Sequence, residues 1–159
     1  MSIAAVREYF DQFGMADQVL EFETSSATVE LAAQAVGVIP ARIAKSLSFK
    51  VDGKAILIIA AGDAKVDNAK FKAHFHTKAK MLTPEEVTEL VGHAIGGVCP
   101  FAIKDGVDVY LDESMRRFET VFPAAGSSNS AIQLTCEQLE QYAQQFVAWG
   151  DFCKGWQEE

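Results

Sequence analysis

The residues in this sequence best suited to chemistry are a glycine-rich loop and a lysine in an apolar strand. The loop, Gly92–Phe101, holds a histidine, a cysteine, a proline and three glycines. Adjacent glycines disfavour a helix and weaken a strand, and Pro100 fixes its own φ while holding Cys99 extended. The loop therefore predicts a rigid pocket wall made mostly of backbone, or alternatively a plain buried turn between two strands.

Lys45 lies in the predicted strand Ile43–Val51, where residues alternate between two faces. It shares its face with Ile43, Leu47, Phe49 and Val51. A lysine on an apolar face is costly unless its charge is satisfied. Two interpretations remain open: the side chain snorkels into water at the strand end, or it projects into a pocket and binds an anionic or carbonyl-bearing ligand.

Familiar catalytic and metal-binding patterns are missing. The sequence contains no GxSxG, Walker loop, HExxH or GxGxxG. His93 and Cys99 are a conceivable base and nucleophile, although Cys99 has no polar activator in its local sequence. His74 and His76 lack further metal ligands, and the three cysteines are far apart with no CxxC pair. We predict no metal, no cofactor and no disulfide framework.

Charge is distributed unevenly along the chain. The formal net charge of −8 disfavours non-specific binding of nucleic acid. Five lysines and two histidines nevertheless lie between Lys65 and Lys80, against one acid, Asp67. This segment predicts either a local phosphate-binding patch or an ordinary solvated helix face.

The remaining pattern predicts one mixed α/β (α+β) domain over residues 1–159. Asp52-Gly53 predicts a hairpin that leads into a buried strand, Lys54–Ala61. Helix starts are predicted at Ser2, Thr28, Thr83 and Thr135, the last helix running to about Ala148. Residues 149–159 are predicted to be a loosely packed tail. No apolar run reaches the ~20 residues of a membrane span, so we expect a soluble, cytoplasmic protein.

Three features together resemble a known family: Lys45 within Ala41–Leu47, the Gly96–Pro100 loop, and the Ala125–Ser127 turn. In this order they resemble the YbaK-like aminoacyl-tRNA deacylases, a domain also found as the editing insertion of some prolyl-tRNA synthetases. The resemblance runs from about Thr28 to the C-terminal helix. It implies a central, partly barrelled sheet flanked by helices. It also implies hydrolysis of the ester between a wrong amino acid and its tRNA, most often tRNA for proline.

The resemblance also implies roles for individual residues. Its catalytic set is Lys45, Gly96, Gly97 and Pro100, and its substrate-binding set is Thr28, Val98, Cys99, Gly126, Ser127 and, more loosely, Asp63. Lysine would position the tRNA 3′ end, and backbone N–H groups of the loop would stabilise the developing oxyanion. No protein nucleophile is then required. Lys65, Lys70 and Lys72 are expected to contact the tRNA backbone.

The sequence thus predicts a trans-editing hydrolase of misacylated tRNA that carries a small amino acid such as cysteine, alanine or serine. Its expected partner is the acceptor stem and misacylated 3′ end of tRNA, with an aminoacyl-tRNA synthetase as a second candidate and no membrane. A non-catalytic tRNA- or synthetase-binding module and a small-molecule enzyme using Cys99 are the alternatives. The amino acid and the tRNA are not readable from the sequence.

Overall fold

The central sheet is built around the hairpin predicted at Asp52-Gly53. In the computed structural model, which describes residues 3–23, 28–94 and 96–156, both turn residues have positive φ, 52° and 78°. This is the conformation of a tight two-residue hairpin, and it joins β2 (Ile43–Val51) to β3 (Lys54–Ala61). All of β3 except Lys54 is buried, as its continuous apolar sequence predicts.

Six strands form the sheet in the order β8-β6-β2-β3-β5-β9. The remaining four are β5 (Asp108–Asp112), β6 (Thr120–Pro123), β8 (Leu134–Thr135) and β9 (Phe146–Gly150). β2–β3 and β6–β8 are antiparallel, whereas β2–β6, β3–β5 and β5–β9 are parallel. The sheet curls into a half-barrel, so the prediction of a mixed, partly barrelled α/β domain is confirmed.

Two small antiparallel pairs flank this sheet. β1 (Val19–Glu21) pairs with β7 (Ser130–Ile132), and β4 (Lys65–Val66) pairs with β10 (Cys153–Lys154). The helices are α1 (Ile3–Asp11), α2 (Val29–Val36), α3 (Asn68–Phe75), α4 (Pro84–Glu86, continued by a π-helical turn over Val87–Val91) and α5 (Cys136–Tyr142). Short 3-10 turns cover Ala16–Gln18, Pro40–Arg42 and Glu113–Arg117.

Side-chain caps begin the helices where the sequence predicts them. The Thr28 hydroxyl accepts from the Leu31 N–H at the start of α2. Thr83 with Glu86 and Thr135 with Gln138 form complete capping boxes. The prediction at Ser2 falls outside the described residues, as does the hydroxyl-rich segment Thr24–Ser26.

The apolar core is divided by the sheet. A large cluster lies between one sheet face and α1, α4, α5 and the loop after α4. A second cluster lies on the other face beneath α3, and a third packs α2 against Ile43 and Phe122. Among the described residues, no helix is long and apolar enough to cross a membrane.

The C-terminal segment differs from the prediction in two ways. The last helix ends at Tyr142 instead of continuing to about Ala148, and the chain then forms β9. The expected loosely packed tail from residue 149 is also wrong through Trp156, because Phe152 and Cys153 are fully buried in the second cluster. The Asp112 carboxylate holds this segment by accepting from the Phe152 N–H at 2.8 Å.

Candidate functional site

A pocket of about 180 Å³ lies at the edge of β2 that faces away from β3. β2 contributes five lining residues, Ile43, Ala44, Lys45, Ser46 and Ser48. Successive strand residues point to opposite faces of a sheet, so a pocket on one face would be lined by alternate residues. Contributions from both sets show that this pocket opens onto the strand's edge.

The other walls come from four separate parts of the chain. These are the start of α2, the segment before α4 with Val87, the glycine-rich loop, and the region from β6 to β7. Their lining residues are Thr28, Val29, Ala32, Met81, Leu82, Val87, Gly96, Val98, Phe122, Ala124, Ser130 and Ala131. The lining is mainly apolar, with hydroxyl groups and one lysine as its polar side chains.

Lys45 is held at the pocket by the turn that follows β3. Its Nζ donates to the Gly62 carbonyl oxygen at 3.4 Å, and the side chain is half-buried. Burial lowers the pKa of Lys45, and the nearby Cys153 and Asp63 oppose that effect in part. Within the described part of the chain, the ammonium is therefore neither paired with a carboxylate in an ion pair nor freely solvated. A cation in this state is able to bind an anionic or strongly polar ligand.

The glycine-rich loop is folded by contacts with its own backbone and with the segment that follows α5. Gly96 has φ of 95°, and the Gly97 N–H donates to the Ala94 carbonyl at 3.0 Å. Pro100 is buried, and its carbonyl accepts from the Gln144 N–H at 2.9 Å. Gly96 and Val98 line the pocket, whereas Gly97 and Pro100 lie behind that surface.

Gly97 packs directly against the late glycine turn. A Cβ built at Gly97 would lie 2.7 Å from the Ser127 nitrogen and 2.8 Å from the Gly126 carbonyl carbon. A real side chain at this position does not fit without moving backbone. The two glycine turns that stand out in the sequence are thus brought together in space, one against the other.

Gly126 and Ser127 reach the pocket indirectly, through Ser130. The Ser127 hydroxyl donates to Ser130 Oγ at 2.7 Å, and Ser130 lines the pocket. Neither Gly126 nor Ser127 is itself part of the lining, and the contact shown between this turn and the pocket is the one to Ser130.

His93 and Cys99 do meet, but in the protein core. Cys99 Sγ lies 3.6 Å from His93 Nε2, and both side chains are fully buried. Burial raises the pKa of the Cys99 thiol to about 12 and lowers the pKa of His93. His93 Nε2 lies 2.7 Å from the Phe101 carbonyl oxygen, which is hydrogen-bond distance and ties the loop together. The Cys99 thiol points into the core, and Cys99 is not among the residues that line the pocket.

Asp63 is also outside the pocket lining. Its two carboxylate oxygens accept from the Arg117 guanidinium at 2.6 and 3.0 Å. This bidentate pair joins the end of β3 to the turn before β6, and Arg117 also donates to the Trp156 carbonyl. Through Arg117, Asp63 therefore fastens the C-terminal segment at Trp156.

The predicted tRNA-contacting lysines differ in their surroundings. Lys70 is engaged by the Asp151 carboxylate and the Cys153 carbonyl, both at 2.9 Å. Lys65 and Lys72 are exposed, with Lys65 in β4 and Lys72 on α3. Lys72 and Lys78 border a shallow cleft beside α3.

Ser46, Ser130 and Phe122 were missed by reasoning from the sequence, although each lines the pocket. The sequence could have indicated Ser46, because it follows Lys45 directly in the predicted strand. Phe122 is brought to the site by the pairing of β6 with β2, and Ser130 lies in β7, which pairs with β1. No local sequence pattern reveals these pairings. Within the described parts of the chain, no group of three or more potential metal-ligating side chains is assembled.

The chain is similar in sequence to known proteins. The chain is 55% identical over 158 residues to the uncharacterized protein YwhH of Bacillus subtilis, covering 99% of this chain and 100% of that protein. It is 35% identical over 92 residues to a proline–tRNA ligase of Thermotoga maritima, covering 56% of this chain. The match spans 15% of that ligase's length, so the relationship concerns one part of the larger enzyme.

Solved structures of other proteins match this fold over nearly the whole length of the chain. A crystal structure described as that of a proposed trans-editing enzyme for prolyl tRNA synthetase has a TM-score of 0.86 at 30% identity, with 96% of this chain and 97% of that chain covered. The hypothetical protein APE2540, at 23% identity and a TM-score of 0.83, shares the fold. The profile of the aminoacyl-tRNA editing domain matches residues 23–142, which include every described residue of the pocket. The chain belongs to the aminoacyl-tRNA editing domain family.

Proposed function

We propose that this protein is a trans-editing deacylase, which hydrolyses the ester bond between tRNA for proline and a small wrong amino acid. The observation that carries the proposal is the meeting of Lys45, Gly96 and Val98 around one pocket at the edge of β2. Family membership and the likeness to a proposed prolyl-tRNA trans-editing enzyme support the reaction class and the choice of tRNA. Such a protein would act in the cytoplasm, where tRNA is charged.

The pocket's size and lining support a small aminoacyl group. Its volume of about 180 Å³ is below the ~300–1,000 Å³ of pockets that enclose drug-sized ligands. Val29, Ala32 and Ala131 offer apolar contact to a short side chain such as that of alanine or cysteine. The ribose and phosphates of the terminal adenosine would remain nearer the pocket mouth.

Lys45 would bind the 3′-terminal phosphate or ribose as a point charge. Because its pKa is lowered by burial and its ammonium has only a long contact to Gly62, an anionic ligand would relieve a partly desolvated charge. Lys65 and Lys72, which are exposed, are the lysines we assign to the acceptor-stem phosphates. Lys70 is already bound to Asp151 and is a weaker candidate.

Hydrolysis would proceed by attack of water on the ester carbonyl carbon. The carbon–oxygen bond to the ribose breaks, and the ribose oxygen takes up the proton that the water loses. The Gly97 N–H is committed to Ala94, so the main-chain N–H groups of Gly96 and Val98 are the donors we assign to the developing oxyanion. An oxyanion donor of this kind contributes ~3–4 kcal/mol in known enzymes. No side-chain nucleophile is needed.

The test is deacylation of labelled tRNA for proline charged with alanine, cysteine, serine or proline. Wild-type protein should release at least one small wrong amino acid and spare proline. Lys45→Ala should lower kcat/KM by about 10- to 100-fold, the range for losing a charged hydrogen bond. Lys54→Ala is the matched control, since Lys54 is an exposed lysine at the far end of β3.

Failure to hydrolyse any of these esters would refute the proposal. Binding of the charged tRNA without hydrolysis would identify a non-catalytic module instead. Equal losses in Lys45→Ala and Lys54→Ala would show a general charge effect and remove Lys45 from the site.

A further inference from the structure

The edge of β2 inside the pocket is left unpaired at one residue. On this edge, β6 pairs with β2 up to Ala44, and pairing resumes where the Leu82 N–H donates to the Ser48 carbonyl. Main-chain N–H and C=O groups of alternate residues point to the same edge of a strand, so those of Ser46 point the same way as those of Ser48. Among the described residues, no strand pairs with Ser46 on that side.

The Ser46 side chain is also without a partner. Its Oγ is buried, and no hydrogen bond to it is found among the described residues. Buried hydroxyls are nearly always hydrogen-bonded, and an unpaired one costs roughly 1–3 kcal/mol. Ser46 therefore presents two acceptors to the pocket, Oγ and the main-chain carbonyl oxygen, together with the donors of its hydroxyl and its main-chain N–H.

A ligand group that bonds to Ser46 Oγ and to the Ser46 carbonyl oxygen at the same time, using both as acceptors, must carry more than one hydrogen-bond donor. The α-amino group of an aminoacyl ester is such a group, with two or three N–H bonds on one nitrogen. The pocket's other walls near Ser46 are apolar or carry hydroxyls, and Lys45, the lining residue with a positive charge, belongs to the opposite set of alternating β2 side chains. The Lys45 side chain thus leaves β2 on the opposite face from that of Ser46, and its ammonium donates to the Gly62 carbonyl oxygen.

We propose that Ser46 is the subsite for the substrate's α-amino group, which donates to Ser46 Oγ and to the Ser46 carbonyl oxygen. The aminoacyl moiety then lies along the β2 edge as a strand of one residue, with its side chain against the apolar wall. This assignment rests on the proposed function and deepens it, because it makes a free α-amino group a requirement of the site.

The experiment compares alanyl-tRNA with propionyl-tRNA, which has the same methyl-bearing acyl chain without the amino group. Wild-type protein should hydrolyse the alanyl ester with a kcat/KM at least about tenfold higher. Ser46→Ala should reduce that preference about threefold or more, because it slows hydrolysis of the alanyl ester more than that of the propionyl ester. Thr88→Ala is the control, since it removes an exposed hydroxyl that is not part of the pocket lining.

Two results would overturn the subsite. One is equal hydrolysis of both esters by the wild-type protein, which would show that no group in the pocket binds the α-amino group. The other is an equal slowing of both esters by Ser46→Ala, which would indicate a structural effect. Circular dichroism and urea unfolding of the variant separate misfolding from a local loss.

Failure of the proposed function is distinguished by a binding measurement. Adenosine derivatives with alanine or propionate in a stable 3′-amide linkage are titrated into isotope-labelled protein, and the Ser46 amide shift is followed by NMR. A protein that hydrolyses nothing but binds the alanyl derivative more tightly would support the subsite and refute the deacylase. A protein that hydrolyses esters but binds both derivatives equally would refute the subsite alone.

Discussion

Gly97→Ala tests the contact between the two glycine turns most directly. At Gly97 an added Cβ would meet main-chain atoms of Gly126 and Ser127 at 2.7–2.8 Å, well inside normal contact distance. Main-chain atoms cannot rotate away as a flexible side chain can. One of the two turns must therefore move, and overpacking of this kind costs about 1–3 kcal/mol.

Gly106→Ala is the matched control for this substitution. Gly106 has φ of 88° and no atom within 4 Å of the position that an added methyl would take, so alanine there meets backbone strain without a clash. That strain costs roughly 1–2 kcal/mol. Urea unfolding at pH 7 measures both variants. We expect Gly97→Ala to lose at least as much stability as Gly106→Ala, with an unchanged m value.

Activity separates the two variants further. Movement of the Gly126–Ser127 turn would displace Ser130, and movement of the loop would displace Gly96, so Gly97→Ala should lower deacylation by about tenfold or more. Gly106→Ala should leave deacylation within about twofold. A Gly97→Ala protein as stable and as active as wild type would refute the packing argument.

Two further predictions concern Lys45 and Cys99. Because burial lowers the pKa of Lys45, its protonated form costs stability at neutral pH, and this cost disappears as the pH rises through the lowered value towards the ordinary 10.5. Lys45→Met should therefore lower kcat/KM by the same ~10- to 100-fold as Lys45→Ala, yet raise the free energy of unfolding at pH 7 by roughly 0.5–1 kcal/mol, a modest gain because the ammonium remains partly solvated. That gain should shrink near pH 10 in urea titrations, and a variant less stable than wild type at pH 7 would contradict it. Cys99→Ala should retain deacylation within about threefold, since a thiol with a pKa of about 12 supplies almost no thiolate. A loss of about 1,000-fold in a folded Cys99→Ala protein would restore the cysteine-nucleophile alternative.

The features predicted well from sequence are those that neighbouring residues determine. The Asp52-Gly53 hairpin and the Thr83 and Thr135 capping boxes depend on interactions within four residues, and all three form. Lys45 was singled out for its place among apolar neighbours, and it does line the pocket. The sequence argument placed Lys45 on one face of β2, however, whereas the pocket lies at the edge of that strand.

The features predicted poorly depend on contacts between distant parts of the chain. Residues 149–156 mix charged and apolar residues, so no periodic pattern marks them as packed. Phe152 is nevertheless buried, because Asp112, 40 residues earlier, accepts its N–H. Cys99 likewise turns into the core because His93 and the Phe101 carbonyl hold it there.

The open edge of β2 explains why so few side chains in the pocket are able to act as catalytic groups. Exposed strand edges invite pairing with other chains, and proteins normally cover them. Here β6 covers the edge up to Ala44, and the segment before α4 covers it again from Ser48, which leaves a gap at Ser46. A gap that admits one residue excludes an added strand but fits one aminoacyl group. The polar groups that face such a ligand are then mainly those of the backbone, whose positions depend on glycine packing more than on any catalytic side chain.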